Sequence, residues 1–469
     1  MIKLVPNFRK MSNSFASRDI YNYFYNRPYP FFLNSAMKHK SWGRFSFVGS
    51  DPFLVLKSKK NNISIEQNGK ITYKKGNPLE ELRNILDSHK VVYQNKPPIP
   101  FTGGGVGYLG YDLCHFTEKL PNQTKDDLKF PDLYFAFYNQ FFAIDHYAHE
   151  IWEVRLNNKT IDSNPQPLNK LSDNKYPNKS QSEGLKSNFT KTDYLKSIKR
   201  IKDYIFNGDV YQVNLSQRFE TTYDKSPLDL FMKLQQINPA SFSALLKPNH
   251  HQIVISSSPE RFLKITNSHN YPTPACSADR VRRIETRPIK GTCPRGRTTS
   301  QDNQLKKKLY HSIKDNAELS MIVDMERNDL GRVCKYGSVN VSQLKVIETY
   351  PTLHHIVATV EGDLDNKYDA IDLIKATFPG GSITGAPKIR AMEIIDELEP
   401  TKRNVYTGAI GYIGFDGNID LSIAIRTIML NHNKAYYQVG GGIVADSDPE
   451  SEYQETLTKG KALLKALKM

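Results

Sequence analysis

Apolar and polar positions alternate with a period of two through most of the first 150 residues. Trp42-Gly43-Arg44-Phe45-Ser46-Phe47-Val48-Gly49 sets aromatic residues against polar or small ones. Ile63, Ile65, Ile71 and Tyr73 repeat that pattern about Asn68-Gly69, which predicts a hairpin. Further strands are predicted over 133–144 and 151–156, and a short helix over 78–87. Gly105-Val106-Gly107-Tyr108-Leu109-Gly110 has a dinucleotide-binding spacing. It follows Pro97-Pro98-Ile99-Pro100 and leads into aromatic residues instead of opening a helix, so close backbone packing is its expected use.

The pattern changes after a stretch rich in Asn, Ser, Lys and Pro at 157–188, which reads as a linker between a first lobe at 10–156 and a second unit at 189–467. Thr190 with Asp193 forms a helix start, Tyr194, Ile198, Ile201 and Ile205 form its apolar stripe, and Gly208 ends it. In 210–219, Tyr211, Val213 and Leu215 alternate with Gln212, Asn214, Ser216 and Arg218, placing Gln212 on a polar face or in a solvent-facing row. The apolar run 251–258 predicts a buried strand that delivers Glu260 just beyond its end, unless Glu260 merely starts a helix. One helix is expected over 304–330, with Asp315 and Glu318 on one face. Segments 405–415 and 419–430 predict a hairpin about Asp416-Gly417, with Arg426 on the same face as Asp420, Ser422 and Ala424. That arginine has room for a ligand carboxylate or for a protein acid. Glu452, Glu455 and Lys459 share a face of the last helix, either as a surface pair or, with Glu318, as oxygen donors for a hard cation.

Composition narrows the class. A chain of 469 residues, 39% hydrophobic and 11% aromatic, is long enough for a sizeable core. No apolar run reaches membrane-spanning length, and Met1-Ile2-Lys3-Leu4-Val5-Pro6-Asn7 lacks a signal core, so a cytoplasmic protein is expected. Cys114, Cys276, Cys293 and Cys334 lie far apart with neither metal nor disulfide spacing. The net charge of +15 suits a polyanion, nucleic acid or an acidic partner, but the lysines are dispersed and a nucleic-acid reading rests on charge alone.

The chemistry concentrates in four segments. Arg287-Pro288-Ile289-Lys290-Gly291-Thr292 holds a lysine between a rigid proline and a permissive glycine, as a solvated charge or as a held nucleophile. Asp315-Asn316-Ala317-Glu318 supplies carboxylates. Pro379-Gly380-Gly381-Ser382-Ile383-Thr384-Gly385-Ala386-Pro387-Lys388 reads as a loop before a helix, whose amides suit a carboxylate better than a nucleotide phosphate because the P-loop Lys-Ser/Thr pair is missing. Gly440-Gly441-Gly442-Ile443-Val444-Ala445-Asp446-Ser447 precedes the last helix. His354-His355 and the basic group Arg280, Arg282 and Arg283 each have a structural or a functional reading, the latter as a solvated excursion or a lid.

In this order the segments closely resemble the chorismate-utilising enzymes, and among them the branch that forms aminodeoxychorismate, sister to the anthranilate synthases. The resemblance spans nearly the whole chain and is densest from Thr190 to Lys459. It implies an α+β fold in which large antiparallel sheets form a two-lobed sandwich with helices outside. It also implies chorismate as substrate, with Mg²⁺ held by Glu318 and Glu455 and Glu452 nearby. Arg426 and the backbone at Gly440 and Gly442 would take the enolpyruvyl carboxylate, Tyr412 and Ser382 would line that pocket, and Lys459 would add positive charge. His355 would face the departing C4 hydroxyl, Glu260 would be general acid and base, and Lys290 the nucleophile. By the same resemblance, water-adding relatives carry lysine where this chain has Gln212, and anthranilate synthases carry alanine where it has Lys290. Ser35 and Arg44, with 45–49 and 238–243, resemble a tryptophan pocket, and the connection from Glu260 to Lys290, with 264–287 at its centre, looks extended. No glutaminase signature is evident, so ammonia would come from a separate glutamine amidotransferase subunit, and no fused lyase domain is expected. A non-catalytic scaffold with the same fold is the remaining alternative.

Overall fold

The structure is a computed structural model that describes residues 2–11, 17–37, 42–93, 96–157, 184–267, 281–350 and 353–468. Most of the 157–188 stretch therefore lies outside the described residues, as do Pro272, Pro274, Cys276 and Arg280.

The period-two segments assemble into two large, mainly antiparallel sheets. One runs, in order, through strands Lys186–Ser187, Gln212–Thr222, Lys434–Ile443, Thr427–Asn431, Gln252–Ser258, Phe242–Leu246, Phe31–Asn34, Phe45–Gly49, Gln140–Asp145, Glu150–Asn157, Ile2–Lys10 and His89–Val91. The other runs through Ile289–Pro294, Leu353–Asp363, Arg282–Arg287, Arg261–Asn267, Ile419–Ile423, Ala409–Gly414, Gly104–Leu109, Leu133–Tyr138, Leu54–Lys59, Asn62–Gln67 and Lys70–Lys75. Each sheet takes strands from both sides of the 157–188 stretch. Between the sheets lies an aromatic-rich core that includes Phe47, Phe101, Tyr108, Phe141, Val254, Ile410 and Met429. Helices cover the outer faces. Pro78–Ser88, Ile313–Gly331 and Ala370–Thr377 bury Leu79, Leu82, Leu319, Val323 and Ile374 on one side, and Pro227–Ile237 with Pro449–Lys468 bury Phe231, Leu234 and Leu463 on the other. Among the described residues no helix is long and apolar enough to cross a membrane.

The hairpin about Asn68-Gly69 forms, both turn residues having positive φ (50° and 73°). Gly104–Leu109 is an interior strand: a Cβ on Gly107 would lie 1.8 Å from the Tyr134 carbonyl oxygen, so the glycine spacing serves strand packing. Thr190 caps the Lys191–Phe206 helix as its spacing predicts, accepting from Asp193 N at 3.1 Å.

Three expectations need correction. The helix expected over 304–330 is two, Thr299–Tyr310 and Ile313–Gly331, because Ser312 caps the second by accepting from Asp315 N at 3.3 Å. The polar positions of Gln212–Thr222 do not face solvent: strands and helices cover both faces, and Gln212, Asn214, Ser216, Gln217 and Arg218 are all buried. The segment 419–430 is not one strand. Ile419–Ile423 belongs to one sheet and Thr427–Asn431 to the other, and Arg426 occupies the crossover with φ 52°. A further expectation, the extended Glu260-to-Lys290 connection, lies at its centre outside the described residues; its described ends form a strand pair, Arg261–Asn267 with Arg282–Arg287, whose first and last residues oppose each other. Within it Arg261 bonds Glu285 (2.6 Å) and Asp420 (3.0 Å), and Arg283 pairs with Asp363 (3.3 Å), so the charges bind strand to strand.

Candidate active site

A cavity of about 670 Å³ opens where the last strands of both sheets meet the first turns of the Ile313–Gly331 and Pro449–Lys468 helices. Its wall gathers Glu260, Lys290, Glu318, His355, Ser382, Arg426, Gly440, Gly442, Glu452, Glu455 and Lys459. These come from segments 199 positions apart in the sequence (459 minus 260).

The Arg261–Arg287 pairing returns the chain so that Pro288 follows directly beside Glu260, and Ile289 N points at Glu260 Oε1 (3.4 Å). Glu260 is buried and accepts a 2.7 Å bond from Ser382 Oγ. Burial raises its pKa, and the Ser382 bond, the Ile289 amide and Lys290 only partly offset that rise. A carboxyl in this position keeps a proton to higher pH than a solvated one. Arg287, one residue before the proline, is fixed by Glu348 and by the Trp42 ring, 4.1 Å from its guanidinium, which anchors the start of the lysine segment.

Lys290 leaves the Ile289–Pro294 strand toward Glu318, with Nζ 3.6 Å from Oε2. Burial lowers its pKa, Glu318 and Glu260 pull the other way, and Lys459 adds to the lowering. Gly291 (φ 71°) lets the strand pass close to the Asp315 side chain, which would lie 3.0 Å from any Cβ there. His355, on the neighbouring strand, shares a 2.9 Å hydrogen bond with Thr292 Oγ1. Burial and the Arg426 charge push its pKa down to about 4, so the ring is neutral at pH 7. The adjacent His354 does not join it: its Nε2 lies 2.9 Å from Asp302 Oδ1, in a structural pair.

Arg426 is delivered by the sheet crossover. Its only described side-chain hydrogen bond is a long one, Nη1 to the Lys459 carbonyl at 3.4 Å, and no carboxylate neutralises it among the described ion pairs. Burial lowers its pKa, yet a guanidinium stays charged, so the site calls for an anion. Tyr406 lies in the same wall and burial raises its pKa. Lys459 Nζ donates to the Gly440 carbonyl (2.9 Å) and pairs with Glu455 (2.7 Å). Glu452 accepts from Ser447 Oγ (2.7 Å) and lies 3.5 Å from Lys314 Nζ.

No three His, Cys, Asp or Glu side chains converge tightly enough to hold a metal by themselves among the described residues. Magnesium, however, needs only one or two protein carboxylates, completing its shell with water and ligand oxygens. Glu318, Glu452 and Glu455 are oxygen donors in one cavity, and that chemistry fits a hard divalent cation.

Two residues expected in this cavity lie elsewhere. Tyr412 lines a second cavity of about 210 Å³ between the sheets, with Ser35, Trp42, Arg44, Ser241 and Ser243, because position 412 on the Ala409–Gly414 strand faces the sandwich interior. Gln212 is one layer behind the wall, its amide against Gly442. The run 379–388 forms no anion cradle. Gly385-Ala386 pairs with the Gln212–Thr222 strand, and the following helix starts at Lys388, whose ammonium pairs with Asp329; only Ser382 and Ile383 reach the cavity. The second cavity does unite Ser35 and Arg44, the latter paired with Asp145 at 2.6 Å, while Asn238 lines the larger one. Sequence reasoning missed Tyr406, Asn214, Gln438 and Lys314. For Gln438 the signal was its place two residues before Gly440 on an alternating strand; Tyr406 gave none.

Comparison with known proteins bears directly on this cavity. The sequence profile of chorismate binding enzymes matches residues 29–465. The chain is 39% identical over 440 residues to aminodeoxychorismate synthase component 1 of Escherichia coli K12, covering 94% of this chain and 93% of that one. It is 40% identical over 459 residues to anthranilate synthase component 1 of Acetivibrio thermocellus, covering 93% and 90%. The crystal structure of anthranilate synthase component I from Streptococcus pneumoniae TIGR4 superposes with a TM-score of 0.75 at 30% identity, covering 91% of this chain and 94% of that one.

Proposed function

The chain belongs to the chorismate-binding enzyme family, and from that premise we propose that it is component I of an aminodeoxychorismate synthase, which converts chorismate and ammonia to 4-amino-4-deoxychorismate. The observation that carries the choice within the family is Lys290, a buried amine aimed into the cavity at the motif position where anthranilate-forming relatives are expected to have alanine. Ammonia comes from a separate glutamine amidotransferase subunit, in keeping with relatives named as components.

Chorismate is a dianion. Arg426, which has no protein counter-ion among the described pairs, takes one carboxylate, and Lys459 and the Gly440–Gly442 backbone border the same end of the cavity. Magnesium, held by Glu318 and Glu455 with Glu452 nearby, would supply a charge clamp for the other carboxylate. Lys290, whose pKa burial lowers, reacts in its amine form, making a bond from Nζ to C2. The ring double bonds shift, the C4–O bond breaks, and the hydroxyl leaves as water with the proton held by Glu260. Ammonia then bonds to C4, the double bonds shift back, the C2–Nζ bond breaks, and the surplus proton on the new C4 nitrogen returns to Glu260. The neutral His355 ring adds no charge at the reacting face.

The test is a product assay. With chorismate, Mg²⁺ and ammonium the protein should form the amino product without releasing pyruvate until a separate lyase is added. Lys290→Ala should cut that rate at least about a thousandfold. The 40% identity to an anthranilate synthase favours the second reading, and anthranilate with pyruvate in the absence of lyase would establish it.

A further inference from the structure

Three amide side chains between the Gln212–Thr222 and Lys434–Ile443 strands have polar atoms with no hydrogen-bond partner: both amide atoms of Gln212, Oδ1 of Asn214 and Oε1 of Gln438. Each residue is more than nine-tenths buried, at 1%, 8% and 1% exposure. Asn214 opposes Gly442, Ser216 opposes Gly440 and Arg218 opposes Gln438, so by the alternation of strands all three amides lie on one face. Glycine keeps that face open. A Cβ on Gly440 would lie 2.9 Å from Asn214 Oδ1, and one on Gly442 only 2.1 Å from Gln212 Nε2. Asn214 and Gln438 both line the large cavity, with Gln212 directly behind. Gln438 is held in place by its own Nε2, which donates to Ser216 Oγ at 2.8 Å.

Buried acceptors without donors are costly, so a ligand that brings donors is expected there. Chorismate suits them poorly: its carboxylates are acceptors only, it has a single hydroxyl, and the cavity already offers Arg426 and Lys459 to its charges. Ammonia has three N–H donors for the Asn214 and Gln438 oxygens and keeps its lone pair for attack. Water has two donors. An ammonium ion has four, but the neighbouring cations repel it, and only the neutral molecule is nucleophilic.

We infer that Asn214 and Gln438 form a receiving site for neutral ammonia in the wall of the cavity, which fixes the attacking nitrogen. This inference rests on the proposed function and adds to it the place where the second substrate binds. Asn214→Leu and Gln438→Met keep side-chain volume and remove the acceptor, so each tests the site independently should the other fail to fold. With ammonium salts as nitrogen source, each variant should raise the KM for ammonia about tenfold, the loss of roughly one hydrogen bond, while the chorismate KM and calorimetric chorismate affinity stay at wild-type values. The wild-type KM, expressed as NH₃, should not change between pH 7.5 and 9. An unchanged ammonia KM in a folded variant, or an equal rise in both KM values, would overturn the inference while leaving the function intact. A wild-type chain that makes no amino product from chorismate and ammonium would overturn both.

Discussion

His355 gives the environment of the cavity a thermodynamic signature. Burial, reinforced by Arg426, brings its pKa from an ordinary 6.5 down to about 4. The unfolded chain therefore binds a proton between these values that the folded chain refuses, and folding must weaken as pH falls through that window. Stability from this group is complete above about pH 6.5 and lost progressively toward pH 4. With these two values the loss is about 1.4 kcal/mol at pH 5.5 and about 2.6 kcal/mol at pH 4.5, against about 0.2 kcal/mol at pH 7. Other buried groups add their own pH dependence, Glu260 and Glu326 with raised pKa values and hence the opposite sign. The informative quantity is therefore the difference between wild type and His355→Gln in urea unfolding at pH 7, 5.5 and 4.5. The wild type should lose about 2 kcal/mol more than the variant between pH 7 and 4.5. Parallel losses would mean that His355 titrates like a solvated histidine, and the desolvated, cation-flanked cavity described here would be wrong.

Two further outcomes follow from the same geometry. Ser382→Ala removes the 2.7 Å donor that holds down the Glu260 pKa, so that pKa should rise further. If the protonated form serves the first step, the alkaline limb of the kcat/KM profile moves to higher pH, and an unmoved limb would remove Glu260 from the acid role. Arg403→Met strips the counter-ion from Glu399, 2.7 Å away and equally buried, and should cost about 3–5 kcal/mol in urea unfolding. Adding Glu399→Leu should recover a large part of that loss, because the cost lies in the abandoned charge more than in the missing pair.

The elements visible in the sequence are those whose cause is local. Asn68-Gly69 makes its hairpin because both positions accept positive φ, and Thr190 starts its helix because its hydroxyl reaches the Asp193 amide. Lys290, Glu318, Arg426 and Lys459 meet in one cavity because each segment ends at the same edge of the two sheets, a convergence that spacing alone does not encode. Tyr412 and Tyr406 show the limit: both are tyrosines in one short stretch, yet strand register turns 412 into the sandwich core and leaves 406 in the cavity wall with Arg426. Alternation likewise marked Gln212 as polar without revealing that helices and neighbouring strands cover both faces of its strand. A polar residue on an alternating strand is a surface residue only when the sheet has an open side, and this sheet has none there.

The cavity balances most of its own charges within the fold. Its acids are met by lysines: Glu318 by Lys290, Glu455 by Lys459, and Glu452 by Lys314, at 3.6, 2.7 and 3.5 Å. Arg426 stands outside that scheme, largely buried and without a carboxylate among the described ion pairs, which leaves one unbalanced positive charge in the cavity wall. A second anion would find only paired lysines, and its attraction depends on a cation joining the carboxylates. On the proposed function, the unbalanced guanidinium would take one acid group of an asymmetric dianion and leave the other to the carboxylate-bearing helices, with the ring beside Lys290.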